Sequence, residues 1–307
     1  MIKRKRQAHS ALSIPDVYRI DAPIEQREYL VNGEIKTWDG PLRTIYSPVW
    51  EKGEQEIIAP FVIGSVPLLS VDAAGDALIS AKRAYANGRG VWPTMSVRER
   101  INSVQRFSTA LQAKRHEIVR LLMWEIGKSL NESEREFDRT VAYINDTIGA
   151  LKDLDRFSSR LVIEQGIVGQ IRRAPLGVVL CMGPFNFPLY ETFSTLIPSV
   201  VMGNTIVLKP PRFGILLFQP LLEAFRDAFP PGVINTVYCD GEDVLGPLMA
   251  SGDIDVLAFI GTSRVADRLR SLHPRPHRLR CVLGLDAKNP AVVLHDADLE
   301  LAAAECL

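Results

Sequence analysis

Leu176–Lys209 reads LGVVLCMGPFNFPLYETFSTLIPSVVMGNTIVLK, and the rest of the chain is organised around it. The apolar run from Leu176 to Met182 has strand character. It ends in a Gly183-Pro184 turn, followed by Phe185-Asn186-Phe187-Pro188. The apolar segment from Leu189 to Met202 has helical length. Gly203 stops it, and a second strand, Thr205 to Leu208, ends at Lys209-Pro210. The pattern predicts a β-turn-α-β unit. Asn186 and Lys209 then both sit at carboxyl ends of strands, where ligands collect in open α/β sheets.

Outward from this unit, strands are expected at 176–182, 205–208, 233–238 and 255–260. Helical segments are expected at 189–202, 214–229, 242–250 and 263–271. That alternation predicts an α/β fold with a doubly wound, mostly parallel sheet. Upstream, Tyr29-Leu30-Val31 and Gly33 suggest a short strand and turn, and Val71–Ala86 a helix. Ser96 and Glu99 have capping-box spacing. A further helix runs through Ile118–Ile126 and stops at Gly127. Another, from about Glu132 to Leu154, carries Phe137, Val141, Ile144, Ile148 and Leu151 on one face. Leu161–Arg172, broken by Gly166 and Gly169, suggests a hairpin. Residues 1–28 are expected to form a polar arm and 29–272 a dinucleotide-binding domain. The breaker-rich His273-Pro274-Arg275-Pro276 marks the start of a further unit, 273–307. In that unit 279–283 and 290–294 look strand-like, and a helix begins near Asp298.

The 307 residues are 47% hydrophobic and 23% charged, as in ordinary globular chains. Lys+Arg and Asp+Glu both number 36, so global charge gives no argument for nucleic acid or an anionic membrane. No apolar run reaches the roughly 18 residues of a membrane span. The basic start MIKRKRQ lacks an apolar segment after it, so it is not a secretory signal, and Lys3–Arg6 suit a solvated tail. The four cysteines, Cys181, Cys239, Cys281 and Cys306, form no CxxC and no metal-ligand spacing. Reduced thiols in a cytoplasmic protein are the expectation, with no metal.

GPFNFP followed by MGNTIVLKP resembles the aldehyde dehydrogenase superfamily. The stretches RRAPLGVV, KPP and AFPPGVINTV look most like its NADP-dependent, non-phosphorylating glyceraldehyde-3-phosphate dehydrogenase branch. The resemblance runs from about Tyr29 to Leu307. It implies a cofactor domain with a protruding hairpin that serves oligomerisation, and the start of a catalytic domain. It implies a small-molecule aldehyde as substrate and NADP, with NAD less favoured, as cofactor.

Alone, an Asn between two Phe in a turn suits a loop cap. The resemblance makes Asn186 the oxyanion-hole residue, and its amide can donate to a developing oxyanion. Lys209 can offer a point charge to ribose or phosphate, or sit solvated at a strand end. In the family it contacts the adenosine ribose. NAD-preferring members carry a glutamate three residues after that lysine. Here the sequence is Lys209-Pro210-Pro211-Arg212, which replaces repulsion of a 2′-phosphate by attraction, unless Arg212 is simply a loop arginine in water. Phe259-Ile260-Gly261-Thr262-Ser263 closes a strand and opens a helix, a setting that favours anions. It resembles the family's pyrophosphate turn, with Gly261 and Thr262 matching and Ala266 where a second glycine is expected. Arg139 alone suits a solvated helix face. In the branch, an arginine at the matching position binds the substrate phosphate. The branch's tyrosine after the oxyanion asparagine is Phe187 here.

The chemistry requires a thiolate that attacks the aldehyde and a carboxylate that activates water. The family's base lies in a Glu-Leu-Gly-Gly-Lys motif. Here the segment is Gly284-Leu285-Asp286-Ala287-Lys288, so Gly284 stands where the glutamate should be. Asp286, the nearest acid, lies about 6–7 Å along if the segment is extended, and replaces the base only after a shift of register. The family nucleophile follows a Gly-Gln-Arg-Cys-like segment beyond the helix that begins near Asp298. Cys306, in an alanine-rich run without a glycine turn, reads as a structural thiol. These features lead to the expectation of a truncated chain, inactive alone and doubtful as a homo-oligomer. The rival is a non-catalytic NADP-binding or interaction module.

Overall fold

The computed structural model describes residues 8–9, 15–52, 58–158, 160–287 and 290–306. Lys3–Arg6, Lys288 and Leu307 of the features above lie outside them. At the centre is a five-stranded parallel sheet, numbered in chain order β1 (Val178–Met182), β2 (Thr205–Lys209), β3 (Ile234–Thr236), β4 (Val256–Ile260) and β5 (Arg280–Gly284). Its spatial order is β3-β2-β1-β4-β5. All four neighbour pairs are parallel. The order reverses at β1, so a crevice opens between the carboxyl ends of β1 and β4. The fold is α/β with the expected doubly wound sheet.

Strands β1 and β4 are apolar at every position because both faces are covered. Val178, Leu180 and Met182 point to one layer, with Leu257 and Phe259. Against them pack α1 (Val71–Tyr85) and, later in the chain, Val244, Leu245, Leu248 and Ala266 from two helices named below. Val179, Cys181, Ile206 and Leu208 point to the other layer. That layer contains α2 (Val97–Ala113), α3 (Arg115–Ile126), α4 (Leu130–Ser158), α5 (Tyr190–Val201) and α6 (Leu222–Ala228). At its heart Phe107 stacks on Phe225, with ring centroids 4.7 Å apart and planes within 5°. Further helices are α7 (Gly241–Ala250), α8 (Ser263–Leu272) and α9 (Leu299–Cys306), with one short turn of helix at Val91–Thr94.

Local signals acted as their chemistry predicts. Ser96 and Glu99 make a complete capping box at α2. Gly127, at φ +77°, ends α3 in the left-handed conformation that glycine adopts without penalty. On α4, Phe137, Ile144, Ile148 and Leu151 are buried and Val141 is half-buried. The hairpin pairs Val162–Glu164 with Ile167–Gly169 around Gln165 (φ +49°) and Gly166 (φ +81°). Leu161, Ile163, Ile167 and Ile171 on it are all exposed.

Three elements depart from the expectations. An antiparallel pair, Leu42–Lys52 and Ile58–Pro67, was not foreseen. The segment expected as one helix over 214–229 is a 3-10 turn, Leu216–Leu221, continued by α6. Pro220 lacks the N–H that an α-helix needs there. Residues 290–294 form no strand: Val292, Val293 and Leu294 are exposed. β5, beyond the breaker-rich connection at 273, is the edge strand of the central sheet. That connection packs onto the same sheet, with the His273 ring nitrogen Nε2 3.0 Å from Ile254 O and Arg275 donating to Gly252 O at 2.6 Å. At the opposite edge the hairpin of Glu28–Val31 and Glu34–Thr37 covers β3. There Leu30 N–H donates to Thr236 Oγ1 (2.8 Å) and Asn32 N–H to Asn235 Oδ1 (3.0 Å).

Candidate functional site

The parallel order places three sequence-predicted positions along one edge. β1 runs into Gly183–Pro188 with Asn186 exposed, β2 ends on Lys209, and β4 ends on Ile260 before Gly261 and Thr262. Lys209 is in register with Met182 of β1, and Ile260 with Gly284 of β5. The loop after β1 lies tight on α5. A Cβ at Gly183 would come within 1.8 Å of Thr192 Oγ1, so only glycine fits.

The Asn186 loop is held from another layer. Glu136, on α4 and 2% exposed, accepts Leu189 N–H at 3.0 Å and Tyr190 N–H at 3.1 Å. These are orphan donors at the start of α5, where a negative group is favoured. Glu136 is paired with Lys128, whose ammonium lies 3.7 Å from the centroid of the Phe187 ring. Lys128 and Asn186 line one open apolar cleft of about 740 Å³, with Phe185, Phe213 and Glu125. Arg139 is exposed, with its guanidinium 4.2 Å from the Tyr190 ring centroid. Tyr190 in turn meets Tyr143 edge-on. One α4 face thus carries both Arg139 and the carboxylate that fixes the loop.

Glu125 repeats the device. It accepts N–H groups of Ile215 (2.8 Å) and Leu216 (3.0 Å) at the start of the 3-10 turn. Burial pushes its carboxyl up to about 7, against the downward pull of these donors and of Arg43. Sequence reasoning missed both glutamates. Their signal was a carboxylate on an apolar helix face: Glu136 shares its face with Thr140 and Ile144, all buried.

Lys209 is 8% exposed, and burial lowers its pKa, with Arg43 and Arg212 acting in the same direction and Cys239 and Asp240 against it. Arg212 is exposed, its guanidinium 5.8 Å from the Phe213 ring centroid. Arg43, unforeseen, bridges to Asp240 at 2.6 Å and donates to Arg212 O at 3.4 Å. Among the described residues, the end of β2 therefore gathers Lys209, Arg43 and Arg212 near one acid, Asp240.

Gly261 donates its N–H to Gly284 O at 2.9 Å, and Thr262 is the N-cap of α8. Ala266 is fully buried within that helix. Asp286 turns to this terminus: its Oδ2 accepts Ser263 N–H at 2.9 Å and Ser263 Oγ–H at 2.8 Å. It serves here as an acceptor at a helix start. Among the thiols, burial pushes Cys181 up to about 12 and Cys239 up to about 11, so neither is a thiolate at neutral pH. Cys281 and Cys306 are exposed.

Sheet order, covered faces and a polar carboxyl edge define an open, doubly wound α/β protein of the kind that binds ligands where the strand order reverses. Residues 50–307 match the model of the aldehyde dehydrogenase family, and the chain belongs to that family. The NADP-dependent glyceraldehyde-3-phosphate dehydrogenase of Streptococcus equinus is 30% identical over 91% of this chain and 56% of its own length. Malonate-semialdehyde dehydrogenase 1 of Bacillus thuringiensis subsp. konkukian is 31% identical over 78% of this chain and 48% of its own. Among solved structures, the NADP-dependent glyceraldehyde-3-phosphate dehydrogenase of Bacillus halodurans C-125, complexed with NADP, superposes with a TM-score of 0.75 at 28% identity. That match covers 91% of this chain and 56% of the other. An NAD-dependent aldehyde dehydrogenase from Sinorhizobium meliloti gives a TM-score of 0.78 at 28% identity, covering 94% and 55%. The chain spans about half the length of the curated relatives it matches. No helix among the described residues is long and apolar enough to cross a membrane.

Proposed function

We propose that this chain is the cofactor-binding portion of an NADP-dependent, non-phosphorylating aldehyde dehydrogenase acting on glyceraldehyde 3-phosphate. The observation that carries the proposal is the shared carboxyl edge: Asn186, Lys209 and Gly261–Thr262 end neighbouring strands β1, β2 and β4. The residues fit a phosphorylated dinucleotide. The buried Lys209 lies with Arg43 and Arg212 near Asp240, three cations to one acid among the described residues and a setting suited to a 2′-phosphate. Lys209 and Arg212 would hold the adenosine end, and Gly261 and Thr262 the pyrophosphate. Bound NADP would supply the hydride acceptor.

The chain's own part in the reaction is to position and to stabilise charge. The Asn186 amide would donate to the oxyanion that forms when a thiolate adds to the aldehyde. Glu136 and Lys128 hold its loop. Arg139, over the Tyr190 ring, would bind the substrate phosphate through its planar fork. Asp286 would act as base only after releasing Ser263. None of the four cysteines is assigned the nucleophilic role.

Thermal unfolding of the purified chain with NADP and with NAD tests this. A ligand at 100 times its Kd stabilises by about 2.7 kcal/mol. NADP should raise the melting temperature more than NAD, and Arg212→Glu should invert that order. Equal shifts from both would refute the role of Arg212, and no shift from either would refute cofactor binding by this chain.

A further inference from the structure

The opposite edge of the sheet carries a second concentration of charge. A cavity of about 480 Å³ is lined by Arg98 and Arg100 of α2, Asp155 of α4, Arg172 and Arg173, and Met202 at the end of α5. A second hollow of about 370 Å³ adjoins it, shares Arg98 and Asp155, and adds Lys152 and Arg156. Arg172–Arg173 lie shortly before β1 and Met202 shortly before β2. The cleft is therefore at the amino edge, away from Asn186 and Lys209. Among the described residues six cations line it against one acid, in a chain whose Lys+Arg and Asp+Glu are equal at 36.

Partners account for only some of these cations. Arg100 is 7% exposed and is used by the fold: it donates to Val201 O (2.8 Å) and Met95 O (2.5 Å), and Asp155 acts on it electrostatically. Arg156 pairs with Asp153 at 3.1 Å. Glu99, the residue after Arg98, is spent on the Ser96 cap. Arg98, Lys152, Arg172 and Arg173 are exposed and have no ion pair among the described residues. Four unpaired like charges facing one cleft repel one another, and a multivalent anion relieves that repulsion. The hollows have the volume of small-molecule sites. Arginine forks recognise phosphate oxygens in pairs.

We propose that this amino-edge cleft binds a small polyphosphate or multiply phosphorylated metabolite, with Arg98, Arg172 and Arg173 as its principal contacts. The test is calorimetric titration of the chain with inorganic tripolyphosphate at fixed ionic strength. Arg172→Ser/Arg173→Ser should weaken binding at least tenfold, and Arg98→Ser alone by several-fold. These side chains are exposed, so the melting temperatures should stay unchanged and report that the variants fold. Arg83→Ser/Arg89→Ser, which removes the same charge from a different surface, should change the affinity by less than twofold. An equal loss in both double variants would mean general electrostatic attraction and would overturn the site. So would an affinity for tripolyphosphate that the Arg172/Arg173 variant leaves intact.

Discussion

Glu125→Gln should remove a pH dependence built into the fold. The Glu125 carboxyl is buried against the start of the 3-10 turn and stands at about 7, above an ordinary 4.5. Because the folded-state value is raised, its contribution to stability is complete below pH 4.5 and is lost as pH rises through 7. At roughly 1.4 kcal/mol per pH unit, the gap corresponds to about 3 kcal/mol. Between pH 5 and 8 the wild-type chain should therefore lose about 3 kcal/mol that Glu125→Gln does not lose. The glutamine resembles the protonated acid, with one acceptor oxygen for the backbone donors, so the two proteins should converge near pH 5. Urea unfolding followed by circular dichroism at half-unit pH steps measures the difference. A wild-type profile that rises relative to the variant from pH 5 to 8 would refute the reasoning. It would mean that the N–H donors from Ile215 and Leu216 hold the carboxylate ionised more strongly than burial opposes it.

Two further substitutions probe the edges of the site. Glu136→Ala should cost about 3–5 kcal/mol in denaturant unfolding, since it strips two N–H groups of their acceptor and leaves Lys128 as an uncompensated charge; a loss below 1 kcal/mol would remove the pair from its structural role. Asp286→Asn should tighten NADP binding by about fivefold, roughly 1 kcal/mol, because the carboxylate now sits at the helix start proposed for the pyrophosphate. Unchanged affinity by calorimetry would place the pyrophosphate elsewhere.

The sheet was legible because buried parallel strands are uninterrupted apolar runs. Residues 176–182 were expected and Val178–Met182 found. Helix ends were legible where chemistry marks them, at Ser96 and at Gly127. The Leu42–Lys52 and Ile58–Pro67 strands escaped notice because Pro48, Gly64 and mixed polarity blur their alternation. The run 290–294 has the composition of a strand but finds no partner among the described residues, and composition alone does not pair a strand. At the site, Asn186, Lys209 and Gly261 could be placed from the motifs that surround them. Glu125, Glu136 and Arg43 could not. Each acts through a contact tens to hundreds of positions away, such as Arg43 with Asp240, and sequence spacing carries no sign of that.

The seal between the first hairpin and β3 has a temporal side. Leu30 and Thr236, joined by a hydrogen bond, are 206 residues apart. At synthesis rates of about 5–20 residues per second, some 10–40 s pass between the emergence of one and of the other. Throughout that interval Leu30 and Val31, which end 1% and 3% exposed, have no sheet to pack against. This early-made hairpin is thus among the last elements to find its place. On the ribosome it is a segment with long exposure to chaperones and to neighbouring nascent chains.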